Sequence, residues 1–183
     1  MIHKILTVFV LVFAASALHA QKPVAAAVTD IEDNPSNGLE MCRSLFNEYF
    51  LSELTTHAKV NMLDTASIQK AIAKLKLSRG EKLTAKQISS LCSRLKTDAL
   101  CLIEMSRTGK EAIHITVRIV DRNGKERGKV KGSMKGIGDT DATSNELARK
   151  SAVILRKIRG IDETESKRME KQAQPLPSTV TPI

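Results

Sequence analysis

The 183-residue chain contains no tryptophan, one tyrosine, four phenylalanines and three cysteines. So few cysteines exclude a small domain held together by several disulfides. So few aromatic rings exclude a stacking surface for single-stranded nucleic acid, and the three rings beyond residue 20 all fall in one predicted helix. Glycine (9) and proline (5) are too scarce for a collagen-like chain, whereas an apolar share of 42% suffices for a packed core.

Sequence signatures of catalysis are also missing. The chain has no G-x-S-x-G, Walker, H-E-x-x-H or dinucleotide-binding glycine pattern. His57 and His114, the two histidines beyond residue 20, are far apart and have no cysteine or carboxylate at metal-ligand spacing. The sequence therefore predicts a protein without catalytic residues, cofactor or metal.

The first twenty residues have the layout of a secretory signal peptide. Lys4 precedes an apolar run over residues 5–15, and small residues follow it, so that cleavage after Ala17 or after Ala20 fits. The run is shorter than the roughly 20 residues that a membrane span needs, with a retained amino-terminal anchor as the alternative. No cysteine follows the run, so the sequence predicts a periplasmic protein that is not a lipoprotein.

Charge is distributed unevenly along a chain whose formal net charge is +9. Residues 21–58 carry six acidic and two basic residues, whereas residues 59–135 carry eighteen basic and seven acidic ones. A polarised surface of this kind attracts an anionic partner. In an exported protein that partner is an acidic protein, an anionic polymer or lipid headgroups, and nucleic acid is disfavoured. A merely solubilising lysine-rich surface is the alternative.

Apolar periodicity predicts one α/β (α+β) domain over residues 21–160, with a charged and then proline-containing flexible tail over 161–183. We expect a mixed sheet of about five strands packed with four helices, in the order β-α-β-α-α-β-β-β-α. The strands are predicted at 24–31, 59–63, 98–105, 113–120 and 125–134. The helices are predicted to begin at Asn37, at Asp64 or Thr65, at Thr84 and at Thr143.

Several local details follow from the same patterns. In the first helix, Tyr49 shares the apolar spacing of Phe46 and Phe50 and is expected on the buried face. Asn123-Gly124 predicts a type I′ hairpin turn, because that turn needs two positive φ angles. The returning strand is expected at the sheet edge, and Gly160 is expected to end the last helix.

Three cysteines remain after export, and an odd number leaves at least one thiol unpaired. Cys42 and Cys92 fall on apolar helix faces and Cys101 in a buried strand, so all three suit the role of small buried hydrophobes. A Cys92–Cys101 disulfide is the alternative, because the two residues flank one helix-to-strand turn.

Three carboxylates, Asp30, Glu32 and Asp33, follow the first strand. Ligands of α/β proteins often bind at this position. A solvated acidic loop is the preferred interpretation here.

Four passages resemble the amino-terminal domain of TolB and the related envelope proteins of the curli-secretion, flagellar-accessory and penicillin-binding-protein-activator type. They are residues 24–30, 45–54, 60–64 with 68–75, and 91–102 with 115–125. Two departures stand out: the lipid-anchoring cysteine of the activator and curli relatives is absent, and Ile103 or Glu104 replaces the usual glycine. The resemblance implies a compact periplasmic α/β domain and supplies no catalytic residues.

The sequence thus predicts a non-enzymatic periplasmic accessory protein that binds an envelope protein of the peptidoglycan-synthesis, secretion or Tol-type machinery. Five basic residues of the predicted hairpin are the expected contact surface: Arg122, Lys125, Arg127, Lys129 and Lys131. Electrostatic binding of an anionic envelope polymer or of lipid headgroups through the same hairpin is the alternative.

Overall fold

The computed structural model describes residues 24–108 and 112–158. The predicted leader, the predicted tail and Gly160 lie outside these residues. The strands are β1 (Ala25–Thr29), β2 (Asn61–Met62), β3 (Ala99–Thr108), β4 (Ala112–Asp121) and β5 (Glu126–Met134). The helices are α1 (Glu40–Ala58), α2 (Thr65–Lys74), α3 (Ala85–Leu95) and α4 (Thr140–Ile158). This is the predicted order of elements.

One mixed sheet holds all five strands in the order β2-β1-β3-β4-β5. β1 pairs in parallel with β2 and with β3, because helices connect these strands. β3, β4 and β5 pair in antiparallel fashion as a meander. β5 therefore lies at an edge, as the sequence predicted.

Helices cover the two faces of the sheet unequally. α1 and α4 pack together over one face, where Phe46 and Phe50 stack with ring centroids 5.5 Å apart. α2 and α3 pack over the other face, around Leu100 and Leu102 of β3, and reach β4 only at Val120. Within residues 24–108 and 112–158, most of β4 and β5 therefore has a helix layer on one side alone.

Two of the predicted helix starts are confirmed. The Asp64 side chain accepts a hydrogen bond from the Ser67 N–H, and Thr84 forms a capping box with Gln87. Both helices also bury the apolar faces that their spacing predicted, around Ile68 and Ile88.

Three other local predictions were wrong. Leu39, and not Asn37, occupies the N-cap position of α1. The Asn37 Oδ1 atom accepts hydrogen bonds from the Leu39 N–H and the Arg43 guanidinium, and its amide nitrogen donates to the Met105 carbonyl of β3. α4 begins at Thr140, after a short 3-10 turn at Ile137–Asp139, and not at Thr143. Tyr49 is exposed, because the buried row of α1, which faces the sheet and also α4, runs through Phe46 and Leu54 and does not include Tyr49.

The hairpin turn between β4 and β5 also differs from the prediction. Only Gly124 has positive φ, at 78°, and Asn123 does not. The Gly124 N–H bonds to the Asp121 carbonyl, and the Asp121 N–H bonds to the Lys125 carbonyl. This arrangement is typical of a type I turn followed by a left-handed glycine. The Asp121 carboxylate favours it by accepting hydrogen bonds from the Asn123 and Lys125 N–H groups.

Candidate interaction surface

The uncovered face of β3, β4 and β5 is polar. Residues that pair across neighbouring strands share a face of the sheet. Between β3 and β4, Glu104 pairs with Thr116, and Ser106 pairs with His114. Between β4 and β5, Lys129 pairs with Arg118, Lys131 with Thr116, and Ser133 with His114. His114, Lys129, Lys131, Ser106 and Ser133 are exposed to solvent. We call these paired residues the open face.

The structure divides the five predicted contact residues among four environments. Lys129 and Lys131 lie together on the open face. Arg127 is the extra residue at an irregularity of the β4–β5 ladder and pairs with Asp121 at 3.3 Å. Arg122 lines a polar cleft of about 450 Å³ beside Lys96, at the end of α3, and Lys125 is exposed in the turn. Sequence reasoning placed all five on one hairpin, but only the two lysines share a surface.

Arg118 lies on the open face but carries little free charge. Its guanidinium donates to both carboxylate oxygens of Glu32, at 2.6 Å to Oε2. Lys129 and Lys131 have no carboxylate within ion-pair distance among the described residues. The available positive charge of the open face therefore comes from these two lysines.

The loop after β1 was predicted to be a solvated acidic loop, and that prediction was wrong. Glu32 and Asp33 are 5% and 2% exposed. Asp33 accepts a hydrogen bond from the Met105 N–H of β3 and pairs with the Arg43 guanidinium of α1. Buried carboxylates of this kind need partners, because an unpaired buried charge costs several kcal/mol. The acids thus fix the loop to the sheet.

The same interactions fill part of the position where α/β folds often bind ligands. Asp30 pairs with Arg79 at 2.7 Å, beside an open cleft of about 520 Å³ between α1 and α2. Glu32 also accepts a hydrogen bond from the Leu83 N–H, just before α3. Within the described residues, no group of three or more His, Cys, Asp or Glu side chains is arranged to hold a metal.

All three cysteines are free and buried, and the alternative of a Cys92–Cys101 disulfide is not formed in the structure. β3 turns Cys101 towards α1 and α4, whereas Cys92 packs on the opposite face with α2 and α3. The sheet therefore separates the two sulfur atoms. Burial raises the pKa of Cys92, and it raises the pKa of Cys101 to about 12, so both stay protonated at neutral pH.

Comparison with known proteins gives matches among solved structures only. No protein-family model matches the sequence, and no curated protein matches it. The LpoB C-terminal domain from Salmonella enterica aligns with a TM-score of 0.46 at 15% identity, over 63% of this chain and 84% of that one. Lipoprotein GNA1162 from Neisseria meningitidis aligns with a TM-score of 0.49 at 18% identity, over 71% and 99%. A PelC dodecamer from Paraburkholderia phytofirmans gives 0.44 at 12%, over 73% and 90%.

These similarities are distant and assign no function. Across residues 24–108 and 112–158, no helix combines the length and apolar character that crossing a bilayer requires. The chain is structurally similar to the LpoB C-terminal domain, to lipoprotein GNA1162 and to PelC.

Proposed function

We propose that this protein is a non-catalytic binding protein of the bacterial cell envelope. It binds an acidic region of an envelope protein through the open face. The observation that carries the proposal is the pair Lys129 and Lys131, exposed side by side on a sheet face that no helix of the described residues covers. The secretory leader predicted from residues 1–20 supports a location outside the cytoplasm.

Charge complementarity favours an acidic partner. Because Glu32 neutralises Arg118, and because Glu104 is only half-exposed, the outer part of the open face is positive. A neighbouring acidic surface would approach faster and dock in one orientation, since attraction between exposed charges acts over about 8 Å at physiological salt. The protein machineries that the sequence resemblance suggests are those of peptidoglycan synthesis, secretion and the Tol type.

The size of the open face sets a further requirement. The open face takes at most about five residues from each of three strands, so it spans roughly 17 Å by 15 Å, or roughly 250 Å² of flat area. A stable interface buries about 800 Å² per partner. The partner must therefore contact more than this face, and the neighbouring edge of β5 is the nearest surface.

Crosslinking in living cells tests the proposal. A photo-crosslinking amino acid in place of Lys131 is expected to join the protein to one discrete envelope protein, identified by mass spectrometry. The same amino acid in place of Lys74, an exposed lysine of α2, is the control and is expected not to do so. Equal crosslinking from both positions would contradict the surface assignment.

Charge reversal supplies the second test, on the identified partner. The double variant K129E/K131E should bind at least tenfold more weakly, whereas K70E/K74E changes the net charge equally on α2 and should bind normally. Undiminished binding by K129E/K131E would defeat the proposal. Vesicles containing phosphatidylglycerol test the alternative ligand: if K129E/K131E releases the vesicles but keeps the protein partner, the open face binds lipid headgroups.

A further inference from the structure

The outer edge of β5 is free of backbone partners in the described part of the chain. β5 is the last strand in the sheet order, and its nine residues pair only with β4 on the inner side. Exposed edges of this length are the surfaces on which proteins add a strand from another chain.

The direction of each backbone group in β5 follows from alternation along β4. The Asp121 N–H bonds to Lys125, on the β5 side, whereas the Arg122 N–H bonds to Asp98, on the β3 side. Since successive residues of a strand point their N–H and C=O groups to opposite sides, odd-numbered residues of β4 face β5. The hydrogen bond of Met105 supports this rule. Met105 pairs with Ile115, which faces β5, and the Met105 N–H accordingly points away from β4 and bonds to Asp33.

The same rule identifies the outward groups of β5. Val117 pairs with Val130 and Ile115 pairs with Gly132, so these two β5 residues direct their N–H and C=O groups towards β4. The alternate residues Lys129, Lys131 and Ser133 direct theirs outwards. The free edge thus presents three donors and three acceptors, and its two lysine side chains project onto the open face beside them.

The other side of this edge is apolar. α4 approaches β5 so closely that a Cβ on Gly128 would lie 2.7 Å from the Ile154 Cδ1 atom. Ile154 remains half-buried, so apolar surface is available there to a strand lying next to β5. A residue added beside β5 therefore meets lysine on one face and isoleucine on the other.

We propose that β5 binds an extended segment of the partner as a sixth strand, in which acidic residues alternate with apolar ones. Two acids, spaced two residues apart, lie across from Lys129 and Lys131, and the apolar residues between them contact the side of α4 at Ile154. This inference rests on the proposed function and specifies how the acidic partner is held. Pairing of two β5 edges from two copies is disfavoured, because it would bring the lysines of both copies together.

Peptides test the strand geometry directly. The probe is the peptide GTEVEVETG, and the control is GEEETVVTG, which has the same composition without alternation. The alternating peptide should bind the purified protein at least tenfold more tightly, as measured by fluorescence anisotropy. Equal affinity of the two peptides would show that charge alone acts, and would overturn the added strand.

Backbone methylation separates hydrogen bonding from charge. GTEVEVETG is prepared in two isomers, N-methylated either on two glutamates or on the two valines. In an added strand only one of these sets faces β5, so one isomer should lose binding by about tenfold or more and the other should keep it. Loss with methylated glutamate indicates antiparallel pairing, and loss with methylated valine indicates parallel pairing. Equal affinity of the two isomers, whether high or low, overturns the proposal.

A variant of the edge distinguishes this inference from the proposed function. Ser133→Pro removes one outward N–H without changing the charge, at an edge position where proline is tolerated, and Ser133→Ala is its control. Ser133→Pro should bind the alternating peptide about tenfold more weakly than Ser133→Ala, with an unchanged circular dichroism spectrum. If K129E/K131E no longer binds the envelope partner while Ser133→Pro binds both partner and peptide, the partner binds the open face but does not add a strand to β5. If neither variant loses the partner, the proposed function itself is wrong.

Discussion

At the residue scale, buried charge organises the loop that joins β1 to α1. Glu32 bonds to the backbone ahead of α3 and to Arg118 of β4, whereas Asp33 bonds to β3 and to Arg43 of α1. Each carboxylate thus holds groups that are distant in sequence. Removing one partner from such a pair is costly, because the other charge stays buried without compensation.

Arg118→Met tests the energetic weight of this arrangement. The substitution leaves the Glu32 carboxylate buried without its cation, and we expect a loss of about 3 kcal/mol in the free energy of unfolding. Arg127→Met is the matched control on the same hairpin, since its pair with Asp121 is partly exposed and is worth at most about 1 kcal/mol. Urea denaturation measures both values. Equal losses would mean that Glu32 finds another partner.

The buried thiol of Cys101 makes stability depend on pH in the alkaline range. Its pKa is raised to about 12 by burial, whereas an ordinary thiol titrates near 9.0. The folded state therefore binds the proton more tightly than the unfolded chain. The resulting stability is complete below about pH 9 and is lost as the pH rises towards 12, by about 1.4 kcal/mol per pH unit at most.

The expected result is a steeper loss of stability between pH 9 and 10.5 in the natural chain than in Cys101→Ala, which lacks the titrating group. Comparing how steeply the free energy of unfolding falls with pH removes two other effects. Lysine titration is common to both proteins, and the cost of the cavity left by alanine does not change with pH. Identical slopes in urea denaturation would show that Cys101 does not stay protonated in the fold.

At the scale of the elements, glycines decide how closely neighbouring segments approach. Gly124 carries the left-handed conformation of the hairpin turn and also lies against the first residue of α3. A Cβ there would lie 2.6 Å from the Ala85 Cα atom, which is backbone and cannot rotate away. The turn thus fastens the β4–β5 hairpin to the start of α3.

Gly124→Ala is expected to lower the free energy of unfolding by about 3 kcal/mol, from left-handed strain and overlap together. Gly38→Ala is the control, because Gly38 also has positive φ, at 68°, but has nothing within 4 Å of its Cβ position. It should cost only about 1 kcal/mol. If thermal or urea unfolding gives the same value for both, then α3 moves aside at no cost.

At the scale of the whole molecule, the sheet begins as a parallel α/β arrangement and ends as an antiparallel meander. The strand order 2-1-3 places the connecting helices on opposite faces, which normally opens a ligand crevice at the carboxyl end of β1. Here β3 continues past the end of β1 to Thr108, and Asp33 and Asn37 bond to it there. The chain itself fills the β3 side of the crevice, and a cleft of about 520 Å³ stays open beside it, between α1 and α2. The open face and its edge are the other distinctive surface.

A shortened chain tests the predicted domain boundaries. Both apolar clusters lie within residues 24–158, so the fragment 21–160 should unfold at the same urea concentration as the chain 21–183. A lower midpoint for the fragment would show that residues 161–183 contribute to the fold. Circular dichroism monitors both chains under identical conditions.

Much of the fold was predictable because its signals are local. The order of the elements and the edge position of β5 could be predicted, because apolar residues recur every two residues in strands and every three to four residues in helices. The caps at Asp64 and Thr84 follow from side-chain oxygens at the helix starts. The candidate surface was predicted only in part. Arg127 and Arg122 share the hairpin with Lys129, but the ladder irregularity and the cleft turn them elsewhere.

The sequence alone determined which segments form helices and strands and which of their faces are apolar, because these properties depend on neighbours along the chain. Tertiary structure decided which charges are buried, which side of the sheet each thiol occupies and which lysines lie together. Those outcomes depend on groups far apart in sequence, such as Glu32 and Arg118, whose contact exists only once the loop after β1 has closed over β3 and β4. The physical reason is that charge is compensated in space, whereas the pattern that can be read from the sequence is one-dimensional.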